Sequence, residues 1–139
     1  MSIDDGLIIC SAIGFCISLY FTLVYYNAIQ SNQWFIPPVC RMDEGTCRMI
    51  IQTPDARIFK APNFVLGLLY YAAIILYASV SSVQQVPYVH EILSAISCGT
   101  VFLGVYLSYS LLVKLKTSCV LCFSNHLLNL ILTILLFYK

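Results

Sequence analysis

The apolar and polar positions divide the chain into four long apolar runs, one long polar connection and two short ones. The runs cover about Leu7–Ala28, Asn63–Val83, Ile92–Val113 and Cys119–Tyr138. Each is long enough for a helix to cross the hydrocarbon of a bilayer, which takes roughly 20 residues. His126 is the one His, Lys, Arg, Asp or Glu inside any of them. The connection Ile29–Pro62 holds Trp34, Pro37, Pro38, Cys40, Cys47 and most of the charge. A loop of that length in a compact protein is usually functional. The links Gln84–Glu91 and Lys114–Ser118 are short, which makes neighbouring helices antiparallel. The pattern predicts an all-α integral membrane protein: a four-transmembrane-helix bundle, one membrane domain over residues 1–139, with a long loop between helices 1 and 2. No internal repeat or low-complexity tract interrupts it.

An even number of spans puts both termini on one side of the membrane. The long loop and the Lys114–Ser118 turn then share the other side. Cys40, Cys47, Cys119 and Cys122 are therefore expected at one membrane face.

Composition agrees with the pattern. Hydrophobic residues make up 60% of the chain and charged ones 9%, against roughly 25% charged in a soluble domain. The bilayer is thus the first expected partner. A net charge of +1 offers no basic field for nucleic acid. The first run follows Asp4 and Asp5 rather than a basic segment and is too long for a signal-peptide core, so it is expected to remain as a span.

The seven cysteines bring in the chemistry. Cys119-Val120-Leu121-Cys122 is a C-x-x-C pair, a redox or metal signature, at the start of the last span. Thr117 and Ser118 are available to cap that helix. Amide donors and the positive end of the helix dipole favour negative charge on Cys119. Cys122 lies one turn further in, on the same face. One thiol is expected to be ready for exchange and the other to face the membrane interior. The competing reading is two buried cysteines acting as small hydrophobes. Cys40 and Cys47 are separated by six residues including Gly45, and a disulfide across that turn is feasible. It would serve as a static staple, or as a shuttle in which one loop cysteine exchanges with Cys119 and the other with an outside partner. Cys10, Cys16 and Cys98 have no cysteine at a redox spacing and read as packing residues.

Cys122, His126 and Asn129 fall at i, i+4 and i+7 on one stripe of the fourth helix. Polar groups within a membrane usually face a bundle interior or a site. Asn63 follows Pro62 at the start of the second span, near the same face. Phe59, Phe64, Tyr70, Tyr71 and Trp34 are the nearby aromatics. These are the parts of a quinone pocket: carbonyl donors, a flat apolar slot and an adjacent thiol. An interhelical hydrogen bond for His126, a capping role for Asn63 and ordinary packing for the aromatics are the competing readings.

Cys40 and Cys47, the segment Phe59-Lys60-Ala61-Pro62-Asn63-Phe64-Val65-Leu66-Gly67 with Tyr70-Tyr71 after it, and Cys119-Val120-Leu121-Cys122 together resemble the vitamin K epoxide reductase family. The resemblance covers nearly the whole chain. Thr53, six positions after Cys47, stands where the family usually has serine. The resemblance implies a four-helix bundle around a quinone (menaquinone, ubiquinone or vitamin K) and no metal. It implies that Cys122 meets the quinone ring, that Cys119 exchanges with Cys47, and that Cys40 faces a thioredoxin-like redox protein acting in trans. Asn63 would hydrogen-bond a quinone carbonyl. Tyrosine is frequent in the family at the place of His126, glycine at Lys60 and serine at Phe64.

The expected activity is that of a thiol:quinone oxidoreductase supporting disulfide-bond formation, with vitamin K epoxide or quinone reduction on the same site as the alternative. A DsbB-type oxidase would carry its C-x-x-C in the first outward loop, not at the last span. A thiolate metal protein would need a tighter spacing than Cys40 to Cys47, and a purely structural subunit would need none of these thiols. Orientation is contested by charge. Arg41, Arg48, Arg57, Lys60, Lys114 and Lys116 all fall on the cysteine side. The positive-inside rule taken alone makes that side cytoplasmic. Family members usually present this face to the periplasm or the lumen of the endoplasmic reticulum, and that outward orientation is the one expected here, with inversion as the alternative.

Overall fold

A computed structural model describes residues 1–28, 54, 57–58, 61–114, 116 and 119–139. Trp34, Cys40, Cys47, Thr53, Phe59 and Lys60, and the capping candidates Thr117 and Ser118, lie outside the described residues.

Among the described residues, four main helices carry the fold: α1 (Ile3–Tyr25), α2 (Asn63–Ser79), α3 (Val89–Tyr109) and α4 (Val120–Tyr138). A two-residue antiparallel ladder, Arg57–Ile58 with Ala61–Pro62, leads into α2. A single helical turn, Ser81–Gln84, follows α2, and a π-helical turn, Ser110–Lys114, follows α3.

The boundaries depart from the apolar runs for local reasons. α1 starts four residues before Leu7 because Ser2 and Asp5 form a capping box. The Asp5 N–H donates to Ser2 Oγ at 3.2 Å and the Ser2 N–H to Asp5 Oδ2 at 2.8 Å. Asp4 and Asp5 also suit the positive end of the dipole. α1 stops at Tyr25, and Asn27 takes a left-handed φ of 55°, which asparagine tolerates. The second run breaks at Val80, whose extended backbone (φ −119°, ψ 105°) ends α2 at Ser79. The flanking serines Ser79, Ser81 and Ser82 favour caps over helix interiors. α2 therefore has 17 residues, about 26 Å of helix. Among the described residues, three helical segments are long and apolar enough to cross a membrane: Ile3–Tyr25, Val89–Lys114 and Val120–Tyr138. α2 is apolar but shorter.

Contacts at the helix ends establish the direction of each helix. Lys139, just past α4, pairs with Asp4 in the first turn of α1. Its Nζ also lies 5.0 Å from the Tyr77 ring near the end of α2. Tyr77 in turn hydrogen-bonds His90 at the start of α3, at 3.1 Å. One end of the bundle thus gathers the start of α1, the end of α2, the start of α3 and the end of α4. The opposite end gathers Phe21 and Tyr25 of α1, Phe64 of α2, Leu111 of the π-helical turn, and Cys119 and Cys122. Consecutive helices are antiparallel.

α1 packs on α2 and α4, and α3 packs on α4. Ser11, Gly14 and Ser18 are the buried stripe of α1, small enough to let α2 approach closely. A Cβ on Gly14 would come within 2.5 Å of the Tyr71 ring, so that close approach requires glycine. The core between the ends consists of Leu7, Tyr70, Tyr71, Ile74, Tyr77, Leu93, Leu132 and Leu136, with their neighbours. Phe102, Val105, Leu69, Leu127 and Phe137 point outward, as expected of side chains whose solvent is lipid.

Candidate functional site

Cys119 is itself the N-cap of α4. Its Sγ accepts the backbone N–H of Cys122 at 3.3 Å, and its own backbone is extended. The thiol thus takes the position that serine or aspartate usually fills, and an amide N–H is aimed at its sulfur. An N–H so placed favours negative charge on sulfur. Cys119 is buried and Cys122 is half-buried. Both pack in the cluster at the bundle end with Phe21, Leu111 and Phe64.

Phe64 belongs to an aromatic group at that end. Its ring centroid is 5.4 Å from Tyr25 and 6.3 Å from Phe21. It packs beside the cysteines and does not line the cavity described next.

That cavity, of about 210 Å³, lies between α2, α3 and α4. Asn63, Leu66, Gly67, Tyr70 and Tyr71 line it from α2. Ile96, Thr100, Leu103 and Gly104 line it from α3, and Asn125, His126 and Asn129 from α4. Asn63, Tyr70, His126 and Asn129, expected in one pocket, all line this cavity, the first two from α2 and the last two from α4. Asn125 and His126 are three and four residues beyond Cys122, one helical turn deeper on the same side of α4.

The polar groups differ in how they are satisfied. The Tyr70 hydroxyl bonds Ser97 Oγ at 2.7 Å. The Tyr71 hydroxyl lies 2.8 Å from Asn125 Oδ1 and 2.6 Å from Asn129 Oδ1. His126 Nδ1 is buried without a hydrogen-bond partner among the described residues. It faces Gly104, where a Cβ would lie 3.0 Å from it. An unpaired buried polar group costs about 1–3 kcal/mol, and a ligand with a matching group recovers it.

Asn125 escaped the sequence reading. It sits four residues before Asn129 and three after Cys122, so its helical position marked the same stripe. The α3 residues carried no comparable signal, because they meet the cavity through packing.

The model of the vitamin K epoxide reductase family matches residues 6–137 of the chain. The chain belongs to the vitamin K epoxide reductase family. As a member of the vitamin K epoxide reductase family, it is an integral membrane oxidoreductase, with redox function of the quinone- or epoxide-reductase type. The match spans the start of α1 to the end of α4. No curated protein and no solved structure matches the chain.

The cavity suits the quinones with which this family is associated. Its walls are mostly apolar, the side chains of Asn63, Asn125 and Asn129 bring amides to them, and His126 Nδ1 has no hydrogen-bond partner among the described residues. Pockets for drug-sized ligands run about 300–1,000 Å³. A volume of about 210 Å³ accommodates a ring and not a long isoprenoid tail.

Proposed function

We propose that this protein is a membrane thiol:quinone oxidoreductase that supports disulfide-bond formation. The observation that carries the reading is the stacking of two features on α4. A helix-capping C-x-x-C occupies its start, and an amide- and imidazole-lined cavity lies one turn below. All four helices cross the membrane in this reading. α2 runs the full distance between the same two bundle ends as the longer helices, which supports its counting as a span.

A reduced thioredoxin-like partner, acting in trans, opens the Cys40–Cys47 disulfide. Each exchange breaks one S–S bond and forms another, passing on two electrons. The Cys47 thiolate then attacks Cys119 of the Cys119–Cys122 disulfide and frees Cys122; when Cys40 closes back on Cys47, Cys119 leaves as a thiolate that the Cys122 N–H helps to hold. When Cys119 and Cys122 close their own disulfide, they give up two electrons and two protons. A bound quinone supplies the acceptor for both. Asn63, Asn125 and Asn129 orient it through N–H donors, and His126 Nδ1 gains the partner it lacks. The apolar wall of Ile96, Leu103 and Leu66 excludes water. The cysteine face is the outward one, periplasmic, extracellular or lumenal.

The test is a titration of the purified protein in detergent with a short-chain ubiquinone, followed by the absorption spectrum of the bound quinone. Saturable binding together with dithiothreitol-driven reduction is expected. No binding of ubiquinone or of a naphthoquinone would refute the reading.

A further inference from the structure

Tyr71 is fully buried, and its ring is fixed from both sides. On one side lies Gly14 of α1, where even a methyl group would collide with the ring. On the other lie Asn125 and Asn129 of α4, both by their carbonyl oxygens, at 2.8 and 2.6 Å from the phenol oxygen. A phenol carries one proton. Here that proton is shared between two amide oxygens on successive turns of one helix. An amide held by its oxygen turns its N–H2 group away from the phenol. Asn125 and Asn129 both line the cavity, so that is where donors are of use.

We propose that Tyr71 is a positioning residue: its hydroxyl holds the Oδ1 atoms of Asn125 and Asn129 and so aims their N–H donors at the carbonyl oxygens of a quinone. The inference rests on the quinone reading above. It adds Asn125 to the groups that bind the ring, and it gives Tyr71 a role that phenylalanine cannot fill. Without the hydroxyl, either amide is free to turn over and present its oxygen instead. An amide oxygen repels a quinone carbonyl but accepts a hydrogen bond from a hydroquinone hydroxyl. Removing one oxygen atom from Tyr71 therefore changes which redox form is favoured, not merely how tightly the cavity binds.

The experiment compares binding of decylubiquinone and decylubiquinol under argon, by calorimetry, in a Cys122→Ala background where electrons do not move. Adding Tyr71→Phe is expected to weaken quinone binding about tenfold, the loss of one good hydrogen bond, and to leave quinol binding within about twofold. A packing defect would weaken both forms alike. If Tyr71→Phe changes both affinities equally or neither, the positioning role is wrong. Should that variant fail to fold, Asn125→Leu removes one of the two held amides. The same selective loss of quinone is expected there, and an equal loss or no loss overturns the proposal. If the Cys122→Ala protein binds neither form, it is the quinone reading that falls.

Discussion

Cys119 Sγ accepts the Cys122 N–H at 3.3 Å, so the first cysteine of the pair caps the helix that carries the second. Capping and exchange thereby rest on one sulfur, and substitution separates them. Cys119→Ser keeps a capping oxygen, whereas Cys119→Ala removes the acceptor at a cost of about 1 kcal/mol. Thermal unfolding in detergent is expected to show loss for the alanine variant alone. Electron delivery from the loop cysteines is expected to fail in both.

The contact between Gly14 and Tyr71 sets the spacing of α1 and α2. Gly14→Ala forces a methyl group into the ring, and overpacking of this kind costs about 1–3 kcal/mol. A lowered unfolding midpoint is the expected outcome. Quinone affinity should fall with it, because the ring carries the hydroxyl that holds Asn125 and Asn129.

Gly104 faces His126 across the cavity. Gly104→Ala places a carbon 3.0 Å from the present Nδ1 position and displaces the imidazole. The KM for quinone is expected to rise about tenfold, the equivalent of one hydrogen bond. Steady-state reduction with dithiothreitol checks it, and an unchanged KM would remove His126 from the binding groups.

The ion pair between Asp4 and Lys139 joins the two ends of the chain at the far end of the bundle, partly exposed. Exposed pairs contribute no more than about 1 kcal/mol. Asp4→Asn should therefore leave quinone reduction unchanged and lower stability slightly, by an amount that disappears in high salt.

The helices were legible in the sequence because apolar runs near 20 residues have few other solutions, and three of them are long and apolar enough to cross a membrane. Their ends were less so. Ser2 with Asp5 extends α1 beyond its apolar run, and the extended backbone at Val80 cuts α2 short. Both are matters of local hydrogen bonding that hydropathy does not register. In the site, the i, i+4, i+7 stripe from Cys122 identified His126 and Asn129 on the cavity wall. Asn125 went unnoticed, and Phe64 packs with Tyr25 and Phe21 beside the cysteines. Ring packing depends on what the neighbouring helix presents, and one-dimensional spacing does not contain that. Cys40 and Cys47, the loop pair of the relay, and Phe59, a pocket aromatic, fall outside the described residues.

The outward orientation is open to a direct check. A membrane-impermeant maleimide applied to intact cells is expected to label Cys40 before lysis. Protection until lysis would make the cysteine face cytoplasmic, in line with the excess of Arg and Lys on that side.

The central claim is that electrons leave the protein through Cys122. Purified protein, dithiothreitol and a short-chain ubiquinone suffice to measure it, with quinone loss followed by absorbance. Steady reduction is expected of the native chain, and a fall of at least about a hundredfold in Cys122→Ala, the scale on which removing a reacting group acts. A Cys122→Ala rate equal to that of the native chain would contradict it.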